Sequence, residues 1–123
     1  MKTTYRGYNS GVRRGTRAHY MANKEAARAF VHARLARFNQ YYGYSLRKVF
    51  IKNLCSRWGS ASSRGNLNFN YKIMLLPPGV ADYVVVHELC HLQEFNHSPA
   101  FWALVAQTIP NYKTLRKALR SVR

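Results

Sequence analysis

The feature that most constrains this chain is a cluster of three histidines. His87-Glu88-Leu89-Cys90-His91 is followed six residues later by His97, and then at once by Ser98-Pro99. On a helix, residues four apart share a face, so the imidazoles of His87 and His91 can reach one ion. Glu88 is rotated to the side, where it can take a proton from a water on the metal without ligating the metal itself. That is general-base chemistry toward a carbonyl. A catalytic zinc site needs three protein ligands and one open position. On a continuous helix His97 would lie roughly 240° around from His91 and about 9 Å along the axis, out of reach of the same ion. The helix must therefore end before His97. Asn96 tolerates the left-handed conformation that closes helices, and Ser98-Pro99 can cap and open the next one. The expectation is a helix over 80–95, a break at about Asn96, and His97 in a tight turn folded back toward the ion. Glu94, three residues past His91, competes as third ligand. Cys55 is the candidate fourth ligand if the zinc is purely structural.

Around this cluster the chain reads as α+β. The apolar period of Ala27, Phe30, Val31, Leu35, Phe38 and Tyr42 gives a helix capped by Asn23 and stopped by Gly43. Residues 47–53 alternate as a strand, and a polar loop covers 56–65. Residues 66–70 alternate strictly, predicting a strand with one buried and one polar face. A further short strand is expected over 73–76, before Pro77 and Pro78. Tyr83 to Val86 has strand propensity, but length and the histidine spacing favour a helix buried on most sides. Ser98 caps the next helix, and Asn111 a last basic one ending near Ser121. Residues 1–21 lack apolar periodicity and interleave Tyr, Gly and Arg, so two units are expected: a basic flexible arm over 1–21 and one folded domain over 22–123. The arm suits nucleic acid, and its bland alternative is a terminus without a role.

Charge bears on partners. The chain has 20 Lys and Arg against 4 acids, a formal charge of +16. Such a surplus favours polyanions, nucleic acid first. No Lys or Arg occurs from Ile73 to Tyr112, and three of the four acids, Asp82, Glu88 and Glu94, lie inside that window. Basic flanks thus enclose a near-neutral middle. The candidate DNA contacts are Arg6, Arg13, Arg14, Arg17, Lys113, Arg116, Lys117 and Arg120. No apolar run approaches the ~20 residues of a membrane span, and no secretory block opens the chain. A cytoplasmic monomer is expected, with nucleoid association as an open option. Cys55 and Cys90 are expected to be buried thiols in a reducing compartment.

From about Asn23 to Leu119 the sequence resembles the YgjP-like zincin metallopeptidases, relatives of the SprT and WLM proteases. The match is carried by Ser56-Arg57-Trp58-Gly59-Ser60 with Gly65 to Asn70, by Leu76-Pro77-Pro78, and by Tyr83 to His91 through His97-Ser98 to Phe101-Trp102. The resemblance implies a minimal zincin: an N-terminal helix, a small antiparallel sheet, the active-site helix and C-terminal helices. It implies Zn2+ on His87, His91 and His97, with Glu88 as catalytic base. A peptide substrate would pair with an edge strand, assigned to 66–70 or the loop before it. Ala61 stands where the family commonly has cysteine, so no cysteine is needed there. Arg57, Trp58 and Tyr112 are open candidates for stabilising an oxyanion, with local packing the bland reading of the first two. The leading function is a zinc peptidase brought to nucleic-acid-bound proteins by its basic flanks. The alternatives are a metal-dependent nucleoside-triphosphate pyrophosphatase and a basic binding module with a structural zinc.

Overall fold

The computed structural model describes residues 12–122. Their elements are α1 (Arg17–Tyr42), β1 (Val49–Lys52), β2 (Gly59–Ala61), β3 (Leu67–Asn70), a 3-10 turn (Tyr71–Leu75), α2 (Pro78–Cys90), α3 (Pro99–Thr108) and α4 (Tyr112–Arg120). This is the expected α+β class.

Helix α1 buries Ala27, Val31, Leu35 and Phe38, the stripe its periodicity predicts, and ends at Gly43 in the left-handed region, with φ at 70°. Its start differs from expectation. The cap is Thr16, whose side chain accepts from the His19 amide, and Asn23 lies inside the helix, bonded to the His19 carbonyl. The extra turns are anchored by polar contacts that an apolar period does not register. His19 Nδ1 lies 2.7 Å from the Tyr71 hydroxyl, and Tyr20 donates to the Ile51 carbonyl at 2.9 Å. Before the helix, Gly15 and Asn53 exchange two hydrogen bonds of 2.7–2.8 Å, the Val12 carbonyl accepts from the Ser56 amide, and Val12 is buried. The stretch from Val12 onward is therefore fastened to the domain. Arg6 lies outside the described residues.

The sheet has the order β1-β3-β2, with β1 parallel and β2 antiparallel to β3. It is mixed, not purely antiparallel, and 66–70 supplies its central strand, not an edge. The edge on the α2 side is β2, which lies in the segment read as loop. Being central, β3 is buried on both faces. Leu67 and Phe69 alternate with Asn68 and Asn70, which are also buried. The polar face is not solvated because its amides bond other protein groups: Asn68 donates to the Ser60 hydroxyl at 3.2 Å. Asn70 donates to the Leu54 and Arg57 carbonyls at 3.2 and 3.1 Å and accepts from the Lys72 amide at 3.1 Å. That last bond caps the 3-10 turn that replaces the strand expected over 73–76.

Helix α2 opens on Pro78, and from Val80 to Cys90 every residue except Asp82 is buried. Tertiary enclosure thus overrides the strand propensity of Tyr83 to Val86. Asp82 meets Arg34 of α1 at 2.8 Å and Arg37 at 3.9 Å, which ties the two helices together. Ser98 caps α3 by accepting from the Phe101 amide, with Pro99 at the first position as expected. No helix among the described residues is long and apolar enough to cross a membrane.

Candidate metal centre

His87 and Glu88 sit on the last turn of α2, in its most enclosed part. The helix closes at His91, not near Asn96. Three successive short bonds, His91 to Glu88, Leu92 to Leu89 and Gln93 to Cys90, tighten the chain out of the helix. A turn made this way needs no left-handed residue. Ser56 alone among the described non-glycine residues has a positive φ. The break falls early because the His91 ring serves the turn itself: its Nδ1 lies 3.0 Å from the Glu94 carbonyl.

The turn brings His97 back as its spacing requires. The three Nε2 atoms lie 3.3 Å (His87–His91), 3.1 Å (His91–His97) and 3.1 Å (His87–His97) apart. Tetrahedral nitrogens about 2.0–2.1 Å from a zinc-sized ion stand roughly 3.3–3.4 Å from one another, so the spacing fits such an ion. Protonation fits as well. A carbonyl only accepts, so His91 carries its proton on Nδ1 and presents a lone pair at Nε2. His87 Nδ1 lies 3.2 Å from the Tyr83 hydroxyl, the outer contact a ligating imidazole commonly makes. Burial, and next its neighbouring histidines, push His87 well below the usual imidazole range. Burial takes His91 down to about 3, and lowers the more exposed His97 too. All three rings are therefore neutral near pH 7, as ligands must be. Among the described residues this is the one group of three or more potential ligands, and neither Glu94 nor Cys55 belongs to it.

Aromatic rings hold the histidines in place. Phe101 stacks on His91 with centroids 4.2 Å apart, and Trp102 stacks on His97 at 5.7 Å. Tyr112 stacks on the Trp102 ring at 4.9 Å, which puts this oxyanion candidate at the border of the cluster. Trp58 is buried at 2 % exposure, a packing residue, and Arg57 ties its carbonyl to Asn70.

Glu88 is fully buried. A Cβ built on Gly59 would lie 3.0 Å from Glu88 Oε2, 3.1 Å from its Cγ and 2.9 Å from the Asn68 carbonyl. The carboxylate therefore rests against the backbone of β2, in space that glycine alone leaves open. Sequence reading passed over Gly59, Tyr83 and Trp102 as site residues. A glycine directly after the buried Trp58, and an aromatic one turn before His87, were the available signals.

The basic residues divide. Arg13, Arg14, Arg17, Lys113, Lys117 and Arg120 are exposed, whereas Arg116 is half-buried on α4 with its guanidinium 5.0 Å from the Trp102 ring centroid. The two basic segments also converge. Val12 and Val122 line one cavity of about 330 Å³ together with Trp58, Lys72 and Leu76. Cys90 is buried, its thiol pushed up to about 12 by burial, but Cys55 is exposed, contrary to expectation. It lies on the surface loop whose next amide bonds the Val12 carbonyl.

A family model described as YgjP-like, metallopeptidase domain, matches residues 4–122. Among solved structures, the crystal structure of the metallopeptidase zymogen of Pyrococcus abyssi abylysin is similar with a TM-score of 0.63 and 24% identity, over 72% of this chain and 90% of that one. At that identity the likeness shows a shared fold. No curated protein matches the chain.

Proposed function

The chain belongs to the YgjP-like metallopeptidase family, a family of peptide hydrolases, and we propose that it works with Zn2+ held by His87, His91 and His97, with Glu88 as general base. The observation that carries this reading is the meeting of three neutral imidazole nitrogens within 3.3 Å of one another, with a buried carboxylate on the adjacent residue. An all-imidazole set suits zinc among the biologically common ions. When bound, the ion supplies Lewis acidity and lowers the pKa of water toward ~7.

The protein's own groups do the rest. Glu88 accepts the proton released as water attacks the peptide carbonyl. The C–N bond then breaks, and Glu88 returns that proton to the departing nitrogen. Its position against β2 keeps the base beside the edge strand. A substrate main chain pairing along that strand would bring its carbonyl to the base, a mode that reads backbone more than side chains.

The substrate reading goes further: the enzyme acts on proteins held on nucleic acid. Support comes from the exposed Arg13, Arg14 and Arg17 at one end of the described chain and Lys113, Lys117 and Arg120 at the other. Val12 and Val122 share a cavity wall, so the two basic segments border one region and can act as one patch. Contacts to phosphate release counterions, which makes such targeting sensitive to salt.

The test is cleavage of a DNA-bound protein with and without single-stranded DNA, at low and high salt, beside Glu88→Gln. Cleavage stimulated by DNA, weakened by salt and abolished in Glu88→Gln is expected. Turnover by Glu88→Gln would refute the base assignment. Indifference to DNA and salt would refute the targeting.

A further inference from the structure

Arg116 shares the basic sequence context of its neighbours on α4 but is placed differently from them. Along α4, Lys113, Lys117 and Arg120 are exposed, while Tyr112, Leu115, Arg116 and Leu119 form the inward stripe. The guanidinium lies over Trp102, 5.0 Å from the ring centroid, and the same ring is stacked on His97 with an interplanar angle of 21°. The Trp102 ring also lies edge-on to His87, with centroids 5.8 Å apart, so Arg116 shares one aromatic neighbour with two of the three histidines. It forms no ion pair with a described residue: Glu25 pairs with Arg28, and Asp82 with Arg34 and Arg37.

A permanent cation beside three ligands suited to a dication is repulsive by Coulomb's law. It opposes loading of the ion, and although the buried Glu88 carboxylate lies in the same site, Arg116 forms no ion pair among the described residues. A negative oxygen of a bound substrate would offset that repulsion. A guanidinium held over the Trp102 ring offers a planar set of N–H donors suited to a negative oxygen. We propose that Arg116 is a substrate-contacting residue of the peptidase site, its guanidinium receiving a negatively charged oxygen of the bound peptide. This rests on the metallopeptidase reading above. Two substrate oxygens have that chemistry: the scissile carbonyl oxygen as it becomes tetrahedral, and a carboxylate of the peptide.

The experiment compares Arg116→Gln and Arg116→Lys with wild type on neutral and acidic peptides. It also measures affinity for uncleaved peptides in a Glu88→Gln background, and zinc affinity by chelator competition. If the scissile oxygen is the target, kcat on neutral peptides falls about 10²–10³-fold in Arg116→Gln, the usual loss for an oxyanion donor, with KM little changed. If a carboxylate is the target, the preference for acidic peptides disappears, both in KM and in the affinity of the Glu88→Gln pair. In either case Arg116→Lys recovers part of the loss, and zinc binds as tightly as before or more tightly, because a repulsive charge has gone. A merely structural arginine predicts the opposite sign, with zinc affinity falling alongside activity on every peptide, and that result overturns the proposal. So does peptide turnover within twofold of wild type with DNA affinity reduced as in Lys117→Gln, which would make Arg116 a phosphate contact. Should the wild-type protein cleave no peptide, the metallopeptidase reading fails, while the affinities in the Glu88→Gln background still judge Arg116.

Discussion

Gly59→Ala tests whether the base is held by shape. The added methyl would stand 3.0 Å from Glu88 Oε2, 3.1 Å from Glu88 Cγ and 2.9 Å from the Asn68 carbonyl. The carboxylate can swing away, but the carbonyl cannot, because Asn68 lies on the central strand in register with Ser60 and Phe50. Overpacking of this kind costs about 1–3 kcal/mol. For a domain of this size each kcal/mol lowers Tm by about 4–8 °C. Displacing a catalytic group by about 1 Å costs on the order of 10²-fold in rate. The expected result is a moderate fall in Tm by circular dichroism and unchanged zinc stoichiometry, since the three closest approaches of the added methyl are to Glu88 and Asn68 and not to a histidine. At a temperature where the variant is fully folded, kcat falls about 100-fold. Adding Glu88→Ala removes one of the two collisions, so the stability cost of Gly59→Ala shrinks in that background, a coupling that a double-mutant cycle reads directly. A folded, zinc-loaded Gly59→Ala protein with kcat within twofold of wild type would refute the reasoning.

Three further outcomes are expected. His97→Ala should lose zinc by elemental analysis yet retain its far-UV spectrum, because His97 is exposed on a turn and the core lies elsewhere; unfolding would instead mark the metal as structural. The metal-free protein should lose stability as pH falls from about 6.5 toward about 3, read by urea unfolding across pH. His91 and His87 bind their protons more weakly folded than unfolded, so the unfolded chain takes up more protons in that window, and His91→Asn should lessen the slope without abolishing it. Asn70→Ala removes the buried side chain that bonds the part-buried Leu54 and Arg57 carbonyls and Lys72 amide, and should cost roughly 1–3 kcal/mol in chemical denaturation, because net hydrogen bonds are worth about 1 kcal/mol each and water can reach some of the groups left behind.

How much of this was legible in sequence depends on the range over which each residue acts. Ser98-Pro99 and Gly43 work within one turn, and both sit where local chemistry put them. The return of His97 was legible because two histidines on a helix face leave a third few ways to join them. The site of the break was not. It depends on the His91 ring meeting the Glu94 carbonyl, and sequence offers only the neighbouring Asn96 as a conspicuous helix stop. Thr16 went unseen because the turns after it pack through His19 and Tyr20, which carry no apolar period. Asn68 and Asn70 read only as a polar face because alternation cannot distinguish water from a protein group, here the Ser60 hydroxyl and the Leu54 and Arg57 carbonyls, as the partner of an amide. The central place of β3 follows from β1 pairing in parallel across an intervening strand, a non-local choice that short windows do not encode.

The rings stacked on the histidines have a consequence for how the site fills and empties. Phe101 and Trp102 belong to α3, and Glu94 to the turn, so the orientation of His91 and His97 is set by the protein. Most of the rotamer entropy of these side chains is lost when the chain folds, not when an ion arrives. An entering cation therefore meets ligands already aimed, and a departing one leaves them aimed. A metal held as proposed would therefore exchange as a reversible equilibrium on the folded protein, with no cycle of unfolding between one occupant and the next.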